Sequence, residues 1–238
     1  KEQNKHGEFV YDLFHKYFEL KEDLWSQPMN VIVVRGREEH ETYIGKYHQG
    51  DQASKDHAKK LGGWGGYPRQ EMILDKREHI KDYLTHFTAQ SLIDHVVGGR
   101  RLWIEEGMAF HFAVLLEAKD GWYCTNIGGT GAGETARDYT KQDDWPIIIR
   151  TLVSEGKDSS ILEVFKCRDF AQMSGAKSLK AWSMVEFMMV EHRQRFMEFL
   201  SKIRGQKEED DEKELQAVFG WTLDDFDMRW KAYVRASQ

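Results

Sequence analysis

The period of the apolar positions changes along this chain, and each change marks an element. Near the start, Phe9, Leu13, Phe14, Tyr17 and Phe18 recur at helical spacing and predict one face of an amphipathic helix. After Pro28 the run 30–34 is continuous, β-branched and short, which predicts a buried strand. A short helix over 38–47 follows. The glycine-rich stretch 61–67 (LGGWGGY) reads as a loop, either a flexible hairpin tip or a binding loop, because Gly62, Gly63, Gly65 and Gly66 free the backbone to take positive φ. Residues 70–74 are apolar enough for a second short strand bounded by charge.

From 78 to 97 the pattern is strongly helical and stops at Gly98 and Gly99. A second helix over 102–116 is apolar on most sides and is therefore expected to be buried. Residues 120–144, rich in Gly, Thr and Asp, read as an exposed loop excursion. After Trp145 the chain is almost wholly helical, with helices over 147–154, 159–168, 179–204, 208–219 and 224–235. Gly220 ends the fourth of these, and Thr222 with Asp225 supplies an N-cap and an acidic first turn for the last. The charged run 207–214 reads as a solvated helix start.

The elements make an α+β protein, mainly α, with a small N-terminal mixed sheet and a helical C-terminal half. No internal repeat is visible and the chain has three prolines, so one domain over 1–238 is the economical organisation. Within it, 1–112 is the strand and helix part, 113–145 the excursion and 146–238 the helical part.

Composition narrows the function. A net charge of −6 without a basic block excludes the electrostatic footprint of a nucleic-acid binder. No apolar run approaches the roughly 18 residues of a membrane span, and the polar start at Lys1 shows no signal-peptide core. Cys124 and Cys167 each stand alone, which leaves a single bridge or two ordinary thiols. The GGTGAG run from Gly128 to Gly133 lacks the Lys and Ser/Thr of a phosphate cradle, so nucleotide binding is not expected.

Chemistry is concentrated between Tyr83 and Phe112. Trp103-Ile104-Glu105-Glu106-Gly107-Met108-Ala109 reads WxxEGxA, and twenty residues before Glu106 stands His86, in His86-Phe87-Thr88-Ala89-Gln90. These two segments resemble the motif helices of the gluzincin (peptidase MA-like) metallopeptidases. In that superfamily one helix carries HExxH and the next carries the Glu that completes the site. Two histidines four apart share a helix face and reach one zinc, and the Glu beside the first activates the metal-bound water. Most of the chain fits the same resemblance: 31–47 and 62–74 are similar to the family's N-terminal units. The segments Ala181 to Phe187 and Phe196 to Leu200 are similar to its long core helix, and Phe219-Gly220 with Arg229 to Arg235 to its closing helix.

The resemblance implies a zincin-like fold in which the chemistry has been removed. Phe87 stands at the general-base position and cannot accept a proton, and Gln90 replaces the second histidine with a weak neutral donor. No catalytic residue is intact. His86, Gln90 and Glu106 are the vestigial metal positions, of which His86 and Glu106 alone are strong ligands, so no cofactor is expected, and zinc only if the site is retained. Where family members place a Tyr or His to steady the oxyanion, this chain has Ser178 and Lys180. Asp82, Asp94 and His79 are further ligand candidates better explained by salt bridging and helix solvation, and His95 and His111 are displaced from the faces of His86 and Glu106.

Three functions follow. The first is a pseudopeptidase whose former cleft binds a peptide or protein partner, with Trp64 and Tyr67 as aromatic anchors and Met72, Ile73 and Leu74 as an edge strand that accepts an extended peptide. The second is an active zinc peptidase rebuilt around His86, Gln90 and Glu106, with Glu105 or Asp82 as base. The third is a purely structural subunit. The resemblance alone favours an exported, extracytoplasmic location and leaves the oligomeric state open.

Overall fold

Strand pairing begins with glycine. In the computed structural model, which describes residues 2–20, 25–60, 63–73, 80–98, 101–116, 145–168, 172–206 and 211–237, Asn30–Val34 forms β1, Gly63–Gly66 forms β2 and Arg69–Ile73 forms β3. The stretch read as a glycine loop is therefore half of a hairpin. A Cβ on Gly65, where φ is 115°, would lie 2.3 Å from the Arg69 carbonyl oxygen, so only glycine lets these backbones close.

The sheet order is β1-β3-β2, with β1 parallel and β2 antiparallel to β3. This corrects two expectations. β1 is an edge strand with Val33 41% exposed, although its composition reads as buried. β3 is the central strand and has a partner on each side, so Met72 and Ile73 offer no free edge. Composition reports that a strand packs against apolar neighbours but not which strand sits in the middle.

One face of the sheet packs on α4 (Ile80–Val97), where Val31 and Met72 meet Tyr83, Leu84 and Phe87. The other carries α2 (Arg37–Tyr47) and α3 (Gln52–Ala58), where Ile32 and Trp64 meet Tyr43, Ile44 and Ala58. A buried His40 pins α2 to the sheet, with Nδ1 2.8 Å from Glu71 Oε2 and Nε2 3.0 Å from the Ala58 carbonyl. The helix α3 was not legible because it buries only Ala58; the Asp51 carboxylate caps it by accepting from Ser54 N.

The helical body is α1 (Glu2–Tyr17), α5 (Leu102–Leu115), α6 (Trp145–Glu155), α7 (Ile161–Phe165), α8 (Gly175–Glu191), α9 (Arg193–Ile203), α10 (Asp211–Phe219) and α11 (Leu223–Ala236). Every residue from 102 to 113 is buried, which makes α5 the axis between α4 and α8. The inward face of α1 is Val10 and Phe14, continued by Phe18 just past its end, whereas Phe9 is 50% exposed. The helix expected over 179–204 starts earlier, at a Ser174 cap, and breaks at His192. That break turns Phe196, Phe199, Leu200 and Ile203 back onto the core. Thr222 and Asp225 form the anticipated cap of α11 as a reciprocal capping box.

Two charged joints lie inside this body. Lys180 is fully buried and donates to Asp158, to Asp227 and to the Ser159 carbonyl at 2.7–2.8 Å, with its ammonium 4.2 Å above the Trp230 ring. Arg101 is also fully buried and meets both carboxylate oxygens of Asp211 at 2.8 and 2.9 Å, while its other nitrogens donate to the carbonyls of Gly98 and Gln206. Asp211 belongs to the run read as solvated; its partner Arg101, far away in sequence, draws it inside. No helix among the described residues is long and apolar enough to cross a membrane.

Candidate functional site

The spacing of four between His86 and Gln90 places both on the side of α4 that faces α5, and α5 presents Glu106 to them. The three residues singled out from the sequence do meet. His86 Nε2 lies 3.6 Å from Glu106 Oε1, and Gln90 Nε2 donates to the same oxygen at 2.9 Å. The side chains of His86 and Glu106 are 0% exposed.

Gln90 acts here as a hydrogen-bond donor. A carboxylate oxygen can only accept, so the amide must turn its N–H₂ toward Glu106. The contact is donor to acceptor, and the amide presents the positive end of its dipole to the carboxylate. Glu106 Oε1 accepts from Gln90, and the described residues bring one imidazole, His86, and one carboxylate, Glu106, to the junction. Among the described residues no group of three His, Cys, Asp or Glu could hold a metal ion. The other carboxylate oxygen, Glu106 Oε2, is buried with no hydrogen-bond partner among the described residues.

Phe87 is 3% exposed and packs with Met72, Tyr83 and Leu84 beneath the sheet. Its Cζ would lie 3.0 Å from a Cβ placed on Gly63. The Phe87 ring therefore joins α4 to the β2–β3 hairpin. His86 is enclosed as well, its ring centroid 4.8 Å from Phe110 and 5.6 Å from Phe87.

The second motif is held by packing. A Cβ on Gly107 would fall 2.5 Å from Val185 Cγ2 and 2.6 Å from the Ala181 carbonyl oxygen, so glycine sets the approach of α5 to α8. Trp103, fully buried, stacks on Phe165 at 4.6 Å.

The other candidates are dispersed. His111 bridges three helices, with Nε2 2.8 Å from the Tyr17 hydroxyl and Nδ1 2.6 Å from Glu186 Oε2. Burial pushes the Tyr17 phenol above its ordinary pKa; Arg193, stacked on the ring, opposes this and Glu186 adds to it. Asp94 and His95 are exposed on α4, and His95 meets the Tyr67 ring edge-on at 6.0 Å. The Lys180 amine is engaged by Asp158 and Asp227, and the Ser178 hydroxyl is buried. His79, Leu74 and Cys124 lie outside the described residues, as does the GGTGAG run; Cys167 is buried beside Leu102 and Met173.

The residues expected to line a cleft divide in two. Trp64 and Tyr67 share a cavity of about 440 Å³ with Tyr43, Tyr47, His48 and Arg69. Arg69 lies over the rings of Tyr43 and Tyr47 at 5.4 and 4.5 Å. Met72 and Ile73 are buried elsewhere, on β3. Sequence reading missed a larger groove of about 740 Å³ between α1, residues 25–31, β1 and α4. It is assembled from segments distant in sequence, each ordinary when read alone. Comparison with known protein families, with curated proteins and with solved structures finds no match for this chain.

Proposed function

We propose that this chain is a zincin-like protein without peptidase chemistry, in which the former metal junction serves as a buried joint between α4 and α5. The observation that carries the reading is the Gln90 amide on Glu106 Oε1, in a junction where Phe87 fills the position of the base. An amide donor satisfies a buried carboxylate without a metal, and an apolar ring beside it removes the proton acceptor that water activation requires. The gluzincin-like spacing of His86 and Glu106 supports the ancestry half of the proposal. The enclosure of both side chains supports the structural half, because a substrate carbonyl has no route to a group that is 0% exposed.

The test is metal content and hydrolysis measured together. After purification in zinc and gel filtration, the expected result is far less than one zinc per chain and no chelator-sensitive cleavage of casein or a quenched-peptide library. Stoichiometric zinc with cleavage abolished by a chelator would overturn the proposal in favour of a rebuilt peptidase. Gln90→His supplies the converse: with the introduced imidazole, His86 and Glu106 facing one point, the variant is expected to gain zinc-dependent thermal stabilisation that the unaltered chain lacks.

A further inference from the structure

The parity of β1 turns one edge of the sheet, unpaired among the described residues, toward the large groove. Asn30 N donates to the Pro68 carbonyl, which turns the N–H and C=O of Asn30, Ile32 and Val34 toward β3. The N–H and C=O of Val31 and Val33 therefore point away from the sheet. The next outward donor, Arg35 N, is taken by the carboxylate of Glu39 at 2.9 Å, but no other described residue bonds the outward groups of Val31 and Val33. Both valines line the 740 Å³ groove.

Three further observations describe what belongs there. The groove holds two buried polar atoms without a partner among the described residues, the Thr88 hydroxyl on its α4 wall and the indole nitrogen of Trp25 on its rim. Its apolar floor is Val31, Ile80 and Leu84, and its charged lining among the described residues is acidic only, Glu8 and Asp12 on α1. The rim is held ready: Trp25 stacks on Tyr67 at 5.2 Å, and the Tyr67 hydroxyl accepts from Gln27 N at 3.0 Å.

We propose that β1 and this groove form a docking site for an extended peptide that carries a lysine or arginine among apolar residues. The peptide adds as a fourth strand on the outer edge of β1 and bonds Val31 and Val33. Alternate side chains enter the groove over Val31 and Leu84, and a basic side chain reaches Glu8 and Asp12. Backbone pairing supplies the register and the acidic wall supplies the preference. An open strand edge is a liability that proteins otherwise cover or charge, and here the Val33 side chain stands 41% exposed at the edge itself. This inference does not depend on the pseudopeptidase reading, since the metal junction contributes no residue to the groove.

The experiment is backbone amide exchange on the full chain, with a capped peptide of alternating lysine and valine, about six residues long, as probe. Expected are saturable binding and exchange at Val31 and Val33 slowed by about tenfold or more, while Ile32, already bonded to β3, is unchanged. The same peptide N-methylated at alternate positions, its glutamate-valine counterpart, and the Glu8→Lys/Asp12→Lys variant with the original probe are each expected to bind about tenfold more weakly or worse. The proposal is overturned if Val31 and Val33 are not slowed, or if the N-methylated peptide binds as well as the parent, which would mean attraction by charge alone. Slowing that grows with protein concentration in the absence of peptide would also overturn it and identify the occupant as a second copy of this chain.

Discussion

Gln90 Nε2 lies 2.9 Å from Glu106 Oε1, joining α4 to α5 at a carboxylate that is otherwise closed off from water. Removing the donor strands a buried acceptor. Gln90→Ala is expected to destabilise the protein by about 1 to 3 kcal/mol, whereas Glu106→Gln, which keeps an amide oxygen opposite Gln90, should lose less. Urea denaturation followed by circular dichroism checks the order, and a Gln90→Ala protein as stable as the original would show that the bond contributes nothing.

Gly107 is expected to be intolerant for a reason unrelated to metal. Gly107→Ala places a methyl against Val185 and the Ala181 carbonyl, at a cost of about 1 to 3 kcal/mol or more. Adding Val185→Ala should recover only part of the loss, because the second obstacle is backbone. Thermal melts of the single and double variants decide it.

Lys180→Met takes the buried cation away from Asp158 and Asp227, leaving them Lys231 at 3.4 and 2.7 Å, and should cost up to about 3 to 5 kcal/mol. The pair also sets a pH dependence. Burial works to raise the Asp227 pKa, but hydrogen bonds from Lys180 and Lys231, with their charges, hold it below the ordinary value. A carboxyl depressed in the folded state adds stability above its unfolded pKa of about 3.8 and loses it as pH falls through the folded value. Denaturation midpoints taken from neutral pH down through that range should fall for the original protein and slope less for Lys180→Met.

At the alkaline end the sign is set by phenols. Burial raises the pKa of Tyr17, Tyr43 and Tyr233. A raised phenol holds its proton longer when folded, so its contribution is complete below the ordinary value of 10.0 and is lost as pH rises through the folded one. Tyr17→Phe should reduce that slope and, by breaking the bond to His111, cost about 1 kcal/mol at neutral pH. Urea midpoints at neutral and alkaline pH measure both effects.

Local signals made the helices legible, and the resemblance of 86–90 and 103–109 to a known pair of motifs singled out the junction. Helix pitch alone puts His86 and Gln90 on one face of α4; that Glu106 meets them was expected from the resemblance. Phe87 drew notice only through the resemblance, not as the ring that secures the β2–β3 hairpin, since Gly63 meets it only through the fold. The exposure of β1 was illegible for a related reason: strand order depends on where β2 returns, and a β-branched run looks the same at an edge and in a centre. Asp211 read as a solvated charge, and Lys180 stood out only as the occupant of an oxyanion position, because their partners, Arg101 and Asp227, are tens of residues away or more. The β1 groove draws on α1, residues 25–31 and α4 at once, and no window of sequence contains it.

The Arg101–Asp211 joint has a consequence for how the chain acquires its structure. Its two ends are separated by 110 positions, and α5, which Arg101 introduces, packs Trp103 against Phe226 as well. During synthesis the first half emerges with this axis already made but without the carboxylate and aromatic ring that finish it. Closing so long a loop comes late, after local helices have formed. A nascent chain stopped short of Asp211 is thus expected to bind chaperones and resist protease poorly, and its maturation should be timed by the arrival of α10 and α11 rather than by the helices that carry the motif.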